Sequence, residues 1–349
     1  MFQPDYKNIV DAAKNIKPQR IPLYEHSISY DIIEEMTGKK FIHLYHEGAS
    51  GKKEFFKNYC DFFKNMGYDA ISYEEGVGPI MPGSGALGGH KEGVIKTRED
   101  FLKYPWEEIS DLYFKSYSEH FDLLREVMPD GMKAIGGVGN GVFECVQDIV
   151  GYTELCYIRM DDMELYADLF SRVGKMLYEI WEKFLKTYGD IYCVCRFGDD
   201  LGFKSDTLIC HDDIKKYIVP QYKNVVDLVH KHGKPFLLHS CGAIFDVMDE
   251  MISVAKIDAK HSNEDAIAPF SDWIDRYGDK IGNFGGIDTD AICGVNDINL
   301  EEYVTEIYNV MLRKNGGAAI GSGNSIPNYV SAEKYALMNK TIRSLRGDF

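Results

Sequence analysis

Short apolar runs rich in β-branched residues alternate along the chain with longer amphipathic stretches. The runs fall at 21–24, 69–73, 133–138, 192–196, 235–240, 257–262, 281–286 and 318–321. Each is bounded by turn-forming residues, the mark of a buried strand. Between them, apolar positions recur at three- and four-residue steps. Over 155–187 they are Leu165, Leu169, Val173, Met176, Leu177 and Ile180. Over 214–232 they are Ile214, Ile218, Val225, Val226 and Val229. Such spacing lines the side chains along one helical face. Gly233 stands where a helix needs a left-handed cap residue, and Lys234-Pro235 leads into the next strand. The stretches 300–313 and 332–345 follow the same logic.

Strands alternating with helices predict a parallel sheet. Eight such units predict a (β/α)8 TIM barrel, one domain covering 1–349, with an open doubly wound sheet as the alternative. The stretch 84–130 is long for a connection and is expected to carry an insertion that roofs the barrel mouth. The segment Pro82-Gly83-Ser84-Gly85-Ala86-Leu87-Gly88-Gly89-His90 lacks the spacing of a nucleotide fingerprint and reads as a mobile loop.

The formal charge of −16 argues against nucleic acid and anionic membrane surfaces as general partners. No apolar run approaches the length of a membrane span. Residues 1–7 show no basic start followed by an apolar stretch, so no signal peptide is read and a cytoplasmic protein is expected. The eight cysteines form no C-x-x-C pair. Apart from Cys241 they read as reduced thiols filling the core.

In barrels the chemistry gathers where strands hand over to helices at their carboxyl ends. Those positions are polar here. Candidate substrate contacts are His26 and Glu74 after the first two strands, Asn140 and Arg196 at the third and fourth, and Asp288 and Asn324 at the seventh and eighth. His239 and Cys241 lie two residues apart after the apolar run 235–238, so both face the same side of a strand. An imidazole and a thiolate at that spacing can ligate Zn²⁺. A buried histidine bonded to backbone beside an inert thiol satisfies the spacing equally. A zinc site needs a further protein ligand, for which Glu264, His261 and Cys293 are candidates, with His261 and Glu264 on the adjacent strand end. Asp199 and Asp200 are neighbours, so at most one faces the mouth if the strand persists. That one, with a pKa raised by burial, would be a proton donor or base, and Arg196 could pair with it. The other reading of each is a turn or cap aspartate.

The chain resembles the uroporphyrinogen decarboxylase superfamily, particularly its branch of corrinoid-dependent methyltransferases. The resemblance rests on Gly198-Asp199-Asp200-Leu201-Gly202, on Lys234-Pro235-Phe236-Leu237-Leu238-His239-Ser240-Cys241-Gly242, on Gly285-Gly286-Ile287-Asp288, and on Gly321-Ser322-Gly323-Asn324-Ser325-Ile326-Pro327. The decarboxylases carry two arginines after the first strand; Glu25-His26-Ser27-Ile28-Ser29-Tyr30-Asp31 has none. A mouth lined by Glu25, Glu74, Asp199 and Asp200 would repel an octacarboxylate.

The resemblance implies zinc held by His239 and Cys241, with Glu264 as the exchangeable carboxylate. The second cysteine of that branch is replaced by Ser322 or Asn324. With one thiolate, Zn²⁺ is a stronger Lewis acid toward hard oxygen. The resemblance therefore implies O-demethylation of a methoxylated ether or alcohol, with Asp199, Asp200 or His261 supplying a proton. The methyl group would pass to a corrinoid carried by a separate protein, because the chain contains no Asp-x-His-x-x-Gly phrase. A homodimer is compatible with the family. The alternatives are a decarboxylase or lyase acting on another acid and a non-catalytic tetrapyrrole binder.

Overall fold

The computed structural model describes residues 2–295 and 298–349. Among these residues seven strands form one parallel sheet in sequence order. They are β1 (Ile71–Gly76), β2 (Ala134–Gly139), β3 (Tyr192–Gly198), β4 (Phe236–His239), β5 (Ala259–His261), β6 (Gly282–Ile287) and β7 (Ala318–Ser322).

The run expected at 21–24 is reduced to one bridge, Leu23 to Ile320 of β7. There the Tyr24 amide donates to the Ile320 carbonyl and the Ile320 amide to the Pro22 carbonyl, both at 2.9 Å. Pro22 has no N–H with which to extend that ladder. Toward β1 the joint consists of side-chain bonds. The Ser72 hydroxyl donates to the His26 carbonyl at 2.6 Å, and Arg196 donates to both the Ser72 and the Tyr24 hydroxyls at 2.8 Å. Where eight strands were expected, the described residues form seven parallel strands and one bridged segment.

Two cores follow from the alternation of side chains along each strand. A small one lies inside the curled sheet, built from Ala70, Ile135, Val194, Leu237, Ala259, Phe284 and Ala319. Ile9, Ala12 and Ala13 of the helix Lys7–Ala13 belong to it and pack beside the strands' amino ends. The large core lies between the sheet and its surrounding helices. Interior positions one layer above Leu237 and Ala259 are His239 and His261, so the apolar interior gives way to polar side chains at the carboxyl ends.

The stretch 155–187 is two helices, Tyr152–Asp161 and Met163–Tyr188, because the Asp162 carboxylate caps the second by accepting from the Leu165 amide at 2.8 Å. The stretch 214–232 begins as a π-turn, Ile214–Ile218, beside the donor that Pro220 lacks, and continues as Val219–Lys231. The supposed insertion at 84–130 includes the regular crossover helix Ile109–Val127, preceded by the short helix Arg98–Lys103. Its Gly-rich approach is fastened more firmly than a mobile loop. The Gly85 and Leu87 amides donate to the Asp148 carboxylate at 2.8 and 3.1 Å, and the Val94 amide to the Ile149 carbonyl at 2.8 Å. Among the described residues no helix is long and apolar enough to cross a membrane.

Candidate active site

Parallel hydrogen bonding between β3 and β4 continues past both strand ends. The Asp199 amide donates to the His239 carbonyl at 2.9 Å, and the Gly202 amide to the Cys241 carbonyl at 3.1 Å. The Leu201 amide donates to the Ser240 hydroxyl at 3.2 Å. A Cβ on Gly242, at φ +89°, would lie 2.1 Å from the Gly202 carbonyl carbon, so this contact admits only glycine. The two loops are therefore zipped together, and Asp200 is brought to Cys241, whose amide donates to the Asp200 carboxylate at 2.9 Å.

The ligand-type atoms of Asp200, His239 and Cys241 all lie within 4.8 Å of one another. His239 Nε2 is 3.6 Å from Cys241 Sγ and 3.7 Å from Asp200 Oδ1. Nitrogen and sulfur bound about 2.0 and 2.3 Å from a tetrahedral zinc ion stand about 3.6 Å apart. The donor set and its spacing therefore fit zinc.

The hydrogen-bond chain behind His239 fixes which nitrogen faces that cluster. His261 Nε2 lies 3.0 Å from the Ser322 carbonyl, which can only accept, so Nε2 carries the proton. Burial holds the His261 pKa down to about 3, so its Nδ1 is a bare acceptor. That nitrogen is 2.7 Å from His239 Nδ1, which must donate to it. His239 Nε2 is then left with its lone pair directed toward Cys241 and Asp200, the tautomer a metal ligand needs. Burial, then His261 and Arg196, keep the His239 pKa well below the usual imidazole value. Burial, then Asp200, push the Cys241 thiol up to about 12. A thiol so placed becomes a thiolate only beside a cation such as a metal.

His26 stacks on His239 with ring centroids 3.8 Å apart, and its buried Nδ1 has no partner among the described residues. His26 and Glu74 line a cavity of about 520 Å³ together with Tyr30, Tyr59, Tyr73 and Arg196. Arg196 does not pair with an aspartate. It donates to Glu74 at 2.9 Å and to the Tyr24 and Ser72 hydroxyls at 2.8 Å. A second cavity of about 360 Å³ is lined by Glu264, Asp288, Cys293 and Asn324; both cavities share Ser325 and Pro327.

Some expected members stand apart. Asp199 is fully buried and turned toward the helix Val142–Val150, where it accepts from the Phe143 and Glu144 amides at 2.9 and 2.7 Å and from the Tyr222 hydroxyl. Burial pushes its pKa up to about 6, but its oxygens are committed to capping. Gly141 is required there, since a Cβ would come within 2.3 Å of Asp199. Glu264 is not in the Asp200–His239–Cys241 group, whose carboxylate is that of Asp200. His261 is withdrawn as a proton donor by the same two bonds that orient His239.

Asn140, at φ +65°, accepts from the Gly78 amide at 3.1 Å and donates to Glu144 at 2.9 Å. Asp288 caps the helix Thr289–Cys293 and accepts from the Asp265 amide, while still lining the second cavity. Asn324 donates to Cys241 Sγ at 3.4 Å.

Sequence reasoning gave no role to Glu144, Lys260 or Ser262, and none to Glu25 beyond its charge. Glu144 accepts from the Asp200 amide at 3.3 Å, and burial with the nearby Asp199 and Asp200 raises its pKa well above the carboxylate range. It lies in the first turn of the helix Val142–Val150, close behind Asn140. Lys260 is buried over the Trp273 indole at 3.7 Å, and burial draws its pKa down to about 7.

No family model and no curated protein matches the chain. Among solved structures, a methyltransferase from Methanosarcina mazei superposes with a TM-score of 0.71 over 98% of this chain and 99% of its own, at 12% identity. A xylose isomerase domain protein from Alicyclobacillus acidocaldarius reaches 0.42 at 10% identity, covering 83% of this chain and 93% of its own. A D-allulose 3-epimerase from a Methylomonas species reaches 0.41 at 9% identity, covering 94% and 99%. The first of these likenesses shows the α/β fold with its curled parallel sheet.

Proposed function

We propose that this chain is a zinc-dependent methyltransferase of a corrinoid system, moving a methyl group from a methoxylated ether or alcohol to a corrinoid protein. On this reading the bridged 21–24 segment counts as the eighth strand of a uroporphyrinogen decarboxylase-like (β/α)8 barrel. The observation that carries the proposal is the convergence of Asp200, His239 and Cys241, with His239 held as the Nδ1–H tautomer by His261. The fold shared with a methyltransferase agrees with it.

Asp200, His239 and Cys241 would hold the zinc ion, which when bound supplies a Lewis acid for an ether or alcohol oxygen. The remaining work falls to the chain's own side chains. His26 lines the larger cavity beside Glu74, its Nε2 3.7 Å from Glu74 Oε1, and is assigned to contact the substrate. Arg196 and Glu74 neutralise each other at its inner end, so Arg196 presents no unpaired charge to a carboxylate substrate. That weighs against the lyase alternative, as does the burial of Asp199. Holding the methyl carbon in line with its acceptor is the gain such a pocket offers.

Elemental analysis of the purified chain followed by a screen of methoxylated compounds with a Co(I) corrinoid acceptor tests the proposal. About one zinc per chain and methyl transfer lost in His239→Ala and Cys241→Ala are expected. Full transfer by metal-free protein would refute it.

A further inference from the structure

Cys241 Sγ is approached by two hydrogen-bond donors from different strand ends. The Ser262 hydroxyl, just beyond β5, lies 3.5 Å away. The Asn324 carboxamide, just beyond β7, places its Nδ2 at 3.4 Å. The Asn324 side chain is not free to turn aside, and the Ser262 backbone is pinned. The Asn324 Oδ1 accepts from the Ser325 amide at 2.8 Å, which fixes the amide's orientation. The Ser322 hydroxyl donates to the Asn324 carbonyl and anchors its backbone. Ser262 is held from behind by Lys260, whose ammonium donates to the Ser262 carbonyl and rests on the Trp273 indole at 3.7 Å. The hydrogen-bond partner of Lys260 is that carbonyl.

A hydrogen bond donated to a thiolate withdraws electron density from sulfur and weakens it as a metal donor. Two such bonds on the sole thiolate of the cluster act in the same direction. We propose that Asn324 and Ser262 are positioning residues that hold the Cys241 thiolate as a weak donor and so set the site's preference for oxygen over sulfur leaving groups. This inference rests on the metal-site reading above and names what tunes it. Lys260 serves it indirectly, by fixing the Ser262 turn.

Cobalt(II)-substituted full-length protein supplies a readout independent of turnover, because the thiolate-to-cobalt absorption band reports the energy of the sulfur lone pairs. Removing a donor raises that energy. The band is therefore expected at lower energy in Asn324→Ala and in Ser262→Ala, lower still in the double variant, and near the parent position in Ser262→Thr, which keeps the hydroxyl. Lys260→Met is expected to shift the band in the same direction as Ser262→Ala.

A band present in the parent and unmoved in both alanine variants overturns this inference and leaves the metal site intact. Loss of the band in a variant with unchanged circular dichroism also overturns it, since the side chain would then be needed for binding. A parent protein that takes up cobalt without any thiolate band overturns both this inference and the zinc reading.

Discussion

His239 and His261 share one proton between their Nδ1 atoms, 2.7 Å apart, and the direction of that bond decides what His239 offers on its far side. His261 is therefore the residue that would leave His239 Nε2 available to the zinc ion of the proposal. His261→Ala removes the acceptor and leaves His239 free to take either tautomer. Zinc affinity is expected to fall about 10–100-fold with the fold unchanged. Competition against a chromophoric chelator measures it, and an unchanged affinity would uncouple the two rings.

Asp200 and Glu264 make opposite forecasts. Asp200→Asn is expected to lower zinc occupancy after dialysis to well below one per chain. Glu264→Gln is expected to leave occupancy unchanged, because Glu264 stands outside the His239–Cys241 cluster. Parallel metal analysis of the two variants decides between them. The reverse pattern would return Glu264 to the ligand set.

Asp199 serves stability. Asp199→Ala strands the Phe143 and Glu144 amides and the Tyr222 hydroxyl at a buried helix start. A loss of roughly 2–4 kcal/mol is expected, with zinc affinity within a few-fold of the parent. Urea unfolding gives the first quantity and chelator competition the second. Unchanged stability with abolished methyl transfer would restore Asp199 as a proton carrier.

Glu25 predicts a pH effect. Burial raises its pKa to about 8 from the usual 4.5. Between those values the folded protein keeps the proton and the unfolded chain releases it, so this group's contribution is fully present below about pH 4.5. It is lost as pH rises toward about 8 and adds no slope beyond. The loss is of the order of a few kcal/mol. Glu25→Gln should abolish it. Urea midpoints of parent and variant from pH 5 to 9 give the difference, and a difference independent of pH would mean that Glu25 is ionised throughout.

Most of the sheet was legible because buried parallel strands announce themselves as apolar runs with turn residues behind them. The 192–196 and 235–240 runs fall on β3 and β4. The 21–24 run looked like its neighbours, yet Pro22 limits it to a bridge. The spacing of His239 and Cys241 put both on one face of a strand, and did not by itself separate a metal pair from a buried histidine beside an inert thiol. Which aspartate approaches them was not legible, because adjacent aspartates carry no sign of which one turns inward. That choice depends on the Cys241 amide claiming Asp200 and on Phe143 and Glu144 claiming Asp199. Ser262 and Lys260 escaped notice for a related reason. One hydroxyl at a strand end has many possible partners, and a lysine in a strand looks solvated until a tryptophan is found beneath it.

The joint between the 21–24 segment and β1 has a consequence for the cavity beside it. His26, whose ring lies flat on His239, belongs to the same stretch of chain whose carbonyl is tied to Ser72 by a side-chain bond. The wall of the larger cavity at His26 is therefore held by a side-chain bond and not by a strand ladder. The sheet thus has its least ladder-bound edge beside that cavity.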